Sequence, residues 1–199
     1  MPSVYDLKPK FQSLLRPIVG KLASSAVTAN QVTIAAVLLS VLGGGCIALN
    51  PNQHWPLALM PIILLVRMAL NAVDGMLARE FGQKSRLGAI LNELGDVVSD
   101  VVLYLPLCLI PEISRPAVIG FVIVAVIVEF SGVLAVQIGS DRRYDGPMGK
   151  SDRAFWVGLV ATLLAVGVES PSIASAAFWC FGFLGIVTIV RRARQALES

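Results

Sequence analysis

The feature that most limits this chain is the alternation of long apolar runs with short polar links that gather most of its basic residues. The runs are Val32 to Leu49, Pro56 to about Arg79, Leu87 to Ile110, Ala117 to Gly139, Ala154 to Val168 and Ile173 to Val190. With their flanks, each approaches the ~20 residues that carry an α-helix across a hydrocarbon core. Inside such a core no water is on hand to satisfy backbone groups, so segments of this kind fold as helices. A composition that is 56% hydrophobic and only 15% charged over 199 residues, with a mean hydropathy of +0.76, excludes a soluble domain of this size. The expected fold is all-α and integral to a membrane: a single domain over 1–199, with six transmembrane helices in 30–195.

The segment 4–22 has another pattern. Leu7, Phe11, Leu14, Leu15 and Ile18 fall on one face and Lys8, Lys10, Gln12, Ser13 and Arg16 on the other, as in an amphipathic helix lying in the membrane interface. Pro9 and Pro17 predict breaks or bends in it, and Thr28-Ala-Asn30-Gln predicts the start of the first span. Four basic segments set the orientation. Lys8, Lys10, Arg16 and Lys21 precede the first span; Arg79, Lys84 and Arg86 join the second to the third; Arg142, Arg143, Lys150 and Arg153 join the fourth to the fifth; Arg191, Arg192 and Arg194 follow the sixth. Short cytoplasmic segments are enriched in Lys and Arg. The opposite loops hold only Arg115, so both termini are expected in the cytoplasm, in a bacterial inner membrane. A net charge of +3 gathered in separate segments leaves no continuous basic stripe, and no nucleic-acid partner is expected. Cys46, Cys108 and Cys180 stand singly in apolar runs and read as packing residues. His54, in a polar loop without a second ligand, reads as an interfacial residue.

Against this background one stretch is unusual. At about 100° per residue, Asn71, Asp74, Gly75 and Ala78 share one helical face, and Asn92, Asp96 and Asp100 repeat every fourth residue down the next helix. Ionisable residues inside a bilayer are costly unless paired, hydrated or metal-bound, so they mark function. The spacing N-x2-D-G-x2-A-R-x8-G-x3-N-x3-D runs through Asn71, Asp74, Gly75, Ala78, Arg79, Gly88, Asn92 and Asp96. It resembles the signature D-x2-D-G-x2-A-R-x8-G-x3-D-x3-D of the CDP-alcohol phosphotransferases, also called CDP-alcohol phosphatidyltransferases, integral membrane enzymes of phospholipid synthesis. Asn71 and Asn92 stand where that family has aspartates.

The resemblance implies attack by an alcohol hydroxyl on the β-phosphorus of a CDP-alcohol, with CDP-diacylglycerol the expected donor, giving a phosphodiester and CMP. By position, Asn71, Asp74 and Asn92 would hold Mg²⁺ or Mn²⁺ together with Asp96, which would also serve as the base. Asp100, one turn beyond, would add charge to that metal site. Asp74, Gly75, Ala78, Arg79 and Gly88 would meet the CDP moiety, the small residues letting the nucleotide approach the backbone. The two asparagines take the four signature positions from a formal charge of −4 to −2, which weakens metal retention; a single metal arriving with the donor is consistent with that charge, and the count of one or two stays open. Lys150 and Arg153, on the same side, are candidate contacts for the acceptor or its phosphate. The acceptor stays open among glycerol phosphate, inositol phosphate, serine and a second lipid.

Arg67 and Glu129 are expected to pair with one another across helices, and Glu93, about 100° from Asn92, is not counted as a ligand. The resemblance also implies a homodimer in contact with membrane lipids, and Gly43-Gly-Gly45 permits close helix approach. The alternative is a non-catalytic descendant of the same fold that binds a nucleotide lipid or a membrane partner.

Overall fold

The structure, a computed structural model, describes residues 8–168 and 170–198. Among them are seven α-helices and no strand: α1 (Lys8–Ser24), α2 (Ala29–Leu49), α3 (Trp55–Glu80), α4 (Arg86–Tyr104), α5 (Arg115–Gln137), α6 (Lys150–Ala165) and α7 (Pro171–Leu197). Residues 4–7 of the expected interfacial segment lie outside the described residues.

Local chemistry sets the helix ends. At the start of α2, Thr28 Oγ1 accepts from the Gln31 N–H at 3.3 Å while Gln31 Oε1 accepts from the Thr28 N–H at 2.9 Å. Ser85 Oγ accepts from the Gly88 N–H at 2.9 Å and caps α4. Pro56, Pro116 and Pro171 fall in the first turns of α3, α5 and α7, where no intrahelical N–H bond is lost. Two expectations change here. α1 runs on through Pro17 without a break. The third apolar run is not one helix to Ile110: α4 stops at Tyr104, and Pro106 opens a short 3₁₀ segment, Leu105–Leu109, because a proline ring and its missing N–H obstruct the α-helical bond.

α2 packs on α3 and α4, α3 also on α6, and α5 on α4 and α7. At Gly44 the α2–α4 approach is so close that an added Cβ would lie 1.8 Å from the Val102 carbonyl oxygen. Gly43 faces Ile63 and Leu103, and only Gly45 of this run meets open space, so its close contact is made within the chain. A large apolar cluster, with Phe121, Phe178 and Phe181 meeting edge to face beside Met60, Leu64 and Leu103, fills one part of the bundle. A smaller one, built from Val19, Val32, Val73, Met76 and Leu77, fills the part near the α1–α2 and α3–α4 links. Along α3, Arg67 falls between the residues of the two clusters, and Asn71 and Asp74 fall among those of the smaller one.

Four helices, α2, α3, α5 and α7, are long and apolar enough to cross a membrane. Their outer faces carry exposed Leu38, Ile62, Leu65, Ile123 and Phe183, far more contiguous apolar surface than water tolerates. α6 is only 16 residues long, and α4 carries Arg86, Glu93, Asp96 and Asp100. α4 is built inside out relative to a helix on a soluble protein: Leu87, Ile90, Leu94 and Val98 point outward while Asp96, Ser99 and Asp100 are buried. The expected apolar face of α1 splits. Leu15 packs with buried Val19 toward α3, whereas Leu14 and Ile18 stay exposed at 75% and 51%.

Candidate active site

The site is assembled at the meeting of α2, α3, α4 and α6. Asn71 and Asp74 are three residues apart on α3 and so share a face. That face looks onto α4, because Asn71 Nδ2 donates to Asp96 Oδ1 at 3.4 Å. From α2, Thr33 Oγ1 lies 2.7 Å from Asp74 Oδ2 and 3.1 Å from the Ala29 carbonyl. A hydroxyl has one proton, and the shorter contact to Asp74 takes it. From the first turn of α6, Lys150 Nζ donates to Asp96 Oδ1. Both carboxylates are buried. Asp96 therefore has Oδ1 engaged twice and, among the described residues, no hydrogen bond at Oδ2. Asp74, likewise among the described residues, has no Lys or Arg in ion-pair contact. Asn92 is half-buried one turn before Asp96, and its side chain makes no hydrogen bond to a described residue.

Two carboxylates and two amide oxygens are hard donors of the kind Mg²⁺ and Mn²⁺ take. No three His, Cys, Asp or Glu residues among those described converge as a ready cage. Such donors fit a divalent cation whose coordination is completed by substrate phosphate.

Around this pair the other candidates divide. Arg79 is exposed and folds back over Gly75, whose added Cβ would lie 2.9 Å from its Nη2, so the missing side chain gives the guanidinium its place. Gly88 leaves room for Asn30 of α2, 2.8 Å from where its Cβ would be. Ala78 is turned toward the smaller apolar cluster. Asp100 faces away from the Asp74–Asp96 pair: its Oδ1 is 2.6 Å from Arg67 Nη1, and its Oδ2 lies 2.9 Å from Arg153 Nε and 2.7 Å from Nη2. At 3% exposure a carboxylate is retained only against counter-charge, and two arginines supply it. Arg153, 1% exposed, goes on to bind Glu129 Oε1 at 2.7 Å and the Met148 carbonyl at 3.1 Å.

The expected Arg67–Glu129 pair does not form. Glu129 is instead shared by Arg153 and Arg142, with its Oε2 3.0 Å from Arg142 Nη2, and among the described residues Arg67 and Glu129 are linked through Asp100 and Arg153. Arg142 also grips Glu93, at 2.6 Å and 2.7 Å. Burial works against the charge on Arg142, but the contacts with Glu93 and then Glu129 outweigh it and hold its pKa above the ordinary guanidinium value. Thr33, Glu93 and Arg142 are the residues that sequence reasoning passed over. Thr33 left a faint signal as a polar residue inside an apolar run, while Arg142 and Glu93 looked like ordinary charges of a link and a helix flank.

The family model of the CDP-alcohol phosphatidyltransferases matches residues 26–190. Inner membrane protein YnbA of Escherichia coli K12 is 50% identical over 164 residues, which cover 82% of this chain and 81% of that protein. Archaetidylinositol phosphate synthase of Pyrococcus horikoshii is 38% identical over 94 residues, 47% of each chain. The fold is similar to that of Mycobacterium tuberculosis phosphatidylinositol phosphate synthase with CDP-DAG bound, with a TM-score of 0.70 and 21% identity, covering 90% of this chain and 92% of that one. The same enzyme in complex with manganese and citrate gives a TM-score of 0.70 at 21% identity, covering 91% of this chain and 88% of that one. At such identity the structural likeness speaks for the fold, while the matched family model and the E. coli relative speak for descent. The apolar outer faces, the inside-out α4 and the spacing from Asp74 to Asp96 thus have one explanation: the chain is an integral membrane protein belonging to the CDP-alcohol phosphatidyltransferase family.

Proposed function

We propose that the chain transfers a substituted phosphate group from a CDP-alcohol, CDP-diacylglycerol in the first instance, to an alcohol hydroxyl, releasing CMP in phospholipid synthesis. The observation that carries this reading is the contact of Asn71, one turn from Asp74 on the same face of α3, with Asp96 on α4, whose Oδ2 meets no described hydrogen-bond partner. Lys150 and Asn71 hold Oδ1 and so orient the carboxylate, and Oδ2 takes the proton of the attacking hydroxyl. Thr33 fixes Asp74. Asp74 and Asp96, with the amide oxygens of Asn71 and Asn92, would hold Mg²⁺ or Mn²⁺, which when bound neutralises charge on the diphosphate and on the departing CMP. Arg79, lying across Gly75 at the exposed end of α3, binds donor phosphate. The related synthases, one solved with CDP-DAG and again with manganese, favour the same donor and cofactor classes.

In the membrane, α4 and α6 complete six spans with α2, α3, α5 and α7, and α1 lies in the interface on Leu14 and Ile18. The termini and the site face the cytoplasm, and the protein works as a homodimer, as in the family it resembles.

A second reading, binding of a nucleotide lipid without turnover, is favoured by the lack of three converging acidic ligands among the described residues and by Lys150 standing on Asp96. Purified protein given CDP-diacylglycerol, Mg²⁺ or Mn²⁺ and a panel of alcohols separates the two. Metal-dependent CMP release is the expected result; its absence with every acceptor leaves the binding reading.

A further inference from the structure

Resting on that transferase reading, we infer that the acceptor alcohol carries no phosphate, because the cations on the acceptor side of Asp96 are already spent inside the protein. An acceptor must bring its hydroxyl to Asp96, where the nearby elements are the first turn of α6, the link between α5 and α6, and the buried faces of α3, α4 and α5. The basic side chains these elements supply form a chain of alternating sign, Arg67–Asp100–Arg153–Glu129–Arg142–Glu93, three guanidinium groups against three carboxylates. Arg153 uses its Nε and both terminal nitrogens within this chain and on the Met148 carbonyl. Arg143 binds Asp145 at 2.9 Å and Gln195 at 3.1 Å. Arg192, reaching in from α7, donates to the Val128 and Asp145 carbonyls at 2.5 Å and 3.0 Å. Lys150 is committed to Asp96 itself.

A phosphate entering the ion-pair chain would have to displace a carboxylate from a guanidinium, leaving the displaced group buried without a counter-charge, and one reaching buried Arg192 would have to displace the Val128 and Asp145 carbonyls. It would also lie beside Asp100, Glu129 or Glu93 and meet repulsion. An uncharged hydroxyl compound faces neither obstacle and finds hydrogen-bond partners in the remaining donors of Lys150 and in Oδ2 of Asp96. The donor side is built the opposite way. Arg79, Lys84 and Arg86 are all exposed there, and the described residues make no ion pair with any of them. Exposed cations that form no ion pair with the described residues sit where a diphosphate is expected, whereas on the acceptor side the guanidinium groups are paired with carboxylates or, at Arg192, buried against main-chain carbonyls. The reaction is then transfer of the phosphatidyl group from the CDP donor to a neutral alcohol oxygen: the new P–O bond forms as the bond to CMP breaks, and the hydroxyl proton passes to Asp96.

Matched acceptors test this. Full-length protein in detergent with CDP-diacylglycerol and Mn²⁺ is assayed for CMP with glycerol against glycerol 3-phosphate, and inositol against inositol 1-phosphate. The unphosphorylated member should win by at least about ten-fold in kcat/KM. Equal or better use of the phosphorylated member overturns the inference and leaves the transferase reading intact; no CMP with any acceptor overturns the transferase reading. In that case the pocket is still judged by binding, through calorimetric titration of glycerol 3-phosphate into wild type and Glu93→Gln. Wild type should not bind, while the variant, with Arg142 released from its more exposed partner, should gain binding. Measurable wild-type binding equal to that of Glu93→Gln overturns the inference, and absence of wild-type binding supports it even if the variant folds poorly.

Discussion

At Asp96 the two carboxylate oxygens are differently engaged, Oδ1 by Asn71 and Lys150 and Oδ2 by no described hydrogen-bond partner, and under the proposed reaction this makes the residue separable by mutation. Asp96→Asn keeps a group able to meet Asn71 or Lys150 but removes the proton acceptor. Turnover should fall by about 10² to 10⁴, with CDP binding, followed by calorimetry, largely retained; unchanged CMP release removes Asp96 from the chemistry. The asparagines allow a second test. Asn71→Asp with Asn92→Asp adds two negative charges beside a carboxylate that already holds Lys150. Mn²⁺ should then compete better with the ammonium group and bind more tightly in the absence of donor, as read by titration. Equal affinity in the two forms would mean that positions 71 and 92 do not face the metal. Asp74 and Asp96 were legible in the sequence because fixed spacing along a helix fixes the face. Where Asp100 and Arg153 turn was not, since both lie on faces adjoining the site and partner choice depends on how four helices approach.

Among the elements, the α2–α4 contact has a distinctive physical basis. A Cβ on Gly44 would collide with backbone, the Val102 carbonyl, which cannot rotate away as a side chain would. Gly44→Ala should therefore force the helices apart and destabilise by about 1–3 kcal/mol or more, as overpacking does. Gly45→Ala, whose Cβ meets open space, should be neutral or gain up to about 1 kcal/mol from helix propensity. Thermal unfolding of the two variants in detergent measures the contrast, and equal losses would refute the geometry. The Gly43–Gly45 run was visible in the sequence as a place of close approach, but the partner was not: small residues serve equally well within a chain or between chains. Helix positions were legible from the apolar runs because only a helix satisfies its own backbone in lipid. The early stop of α4 depended on Pro106, whose position late in the run allowed either a kinked helix or the observed 3₁₀ segment.

For the whole molecule, the polar layer divides the bundle unequally. Asp74 lies six residues before the end of α3 and Lys150 opens α6, so the site is nearer the end that carries the α1–α2, α3–α4 and α5–α6 links. The other end holds the α2–α3, α4–α5 and α6–α7 links, where the His54 Nδ1–H donates to the Leu164 carbonyl at 2.9 Å, and the Ser114 N–H donates to Ser175 at 2.9 Å. The first end carries Arg79, Lys84, Arg86, Arg142, Arg143 and Lys150 together with Arg191, Arg192 and Arg194 of α7; the second carries Arg115. Basic residues are retained on the cytoplasmic side of a membrane protein, and the CMP of the proposed transfer would leave from the side with access to the site. Both considerations orient the bundle the same way, provided that α4 and α6 cross the membrane as the apolar outer face of α4 implies. Reporter fusions after Ser199 and within Asn50 to Trp55 should then report opposite sides, with the C-terminal fusion cytoplasmic. If both reporters fall on one side, α4 and α6 cannot both span, and Asp96 would have to meet its substrates in another setting.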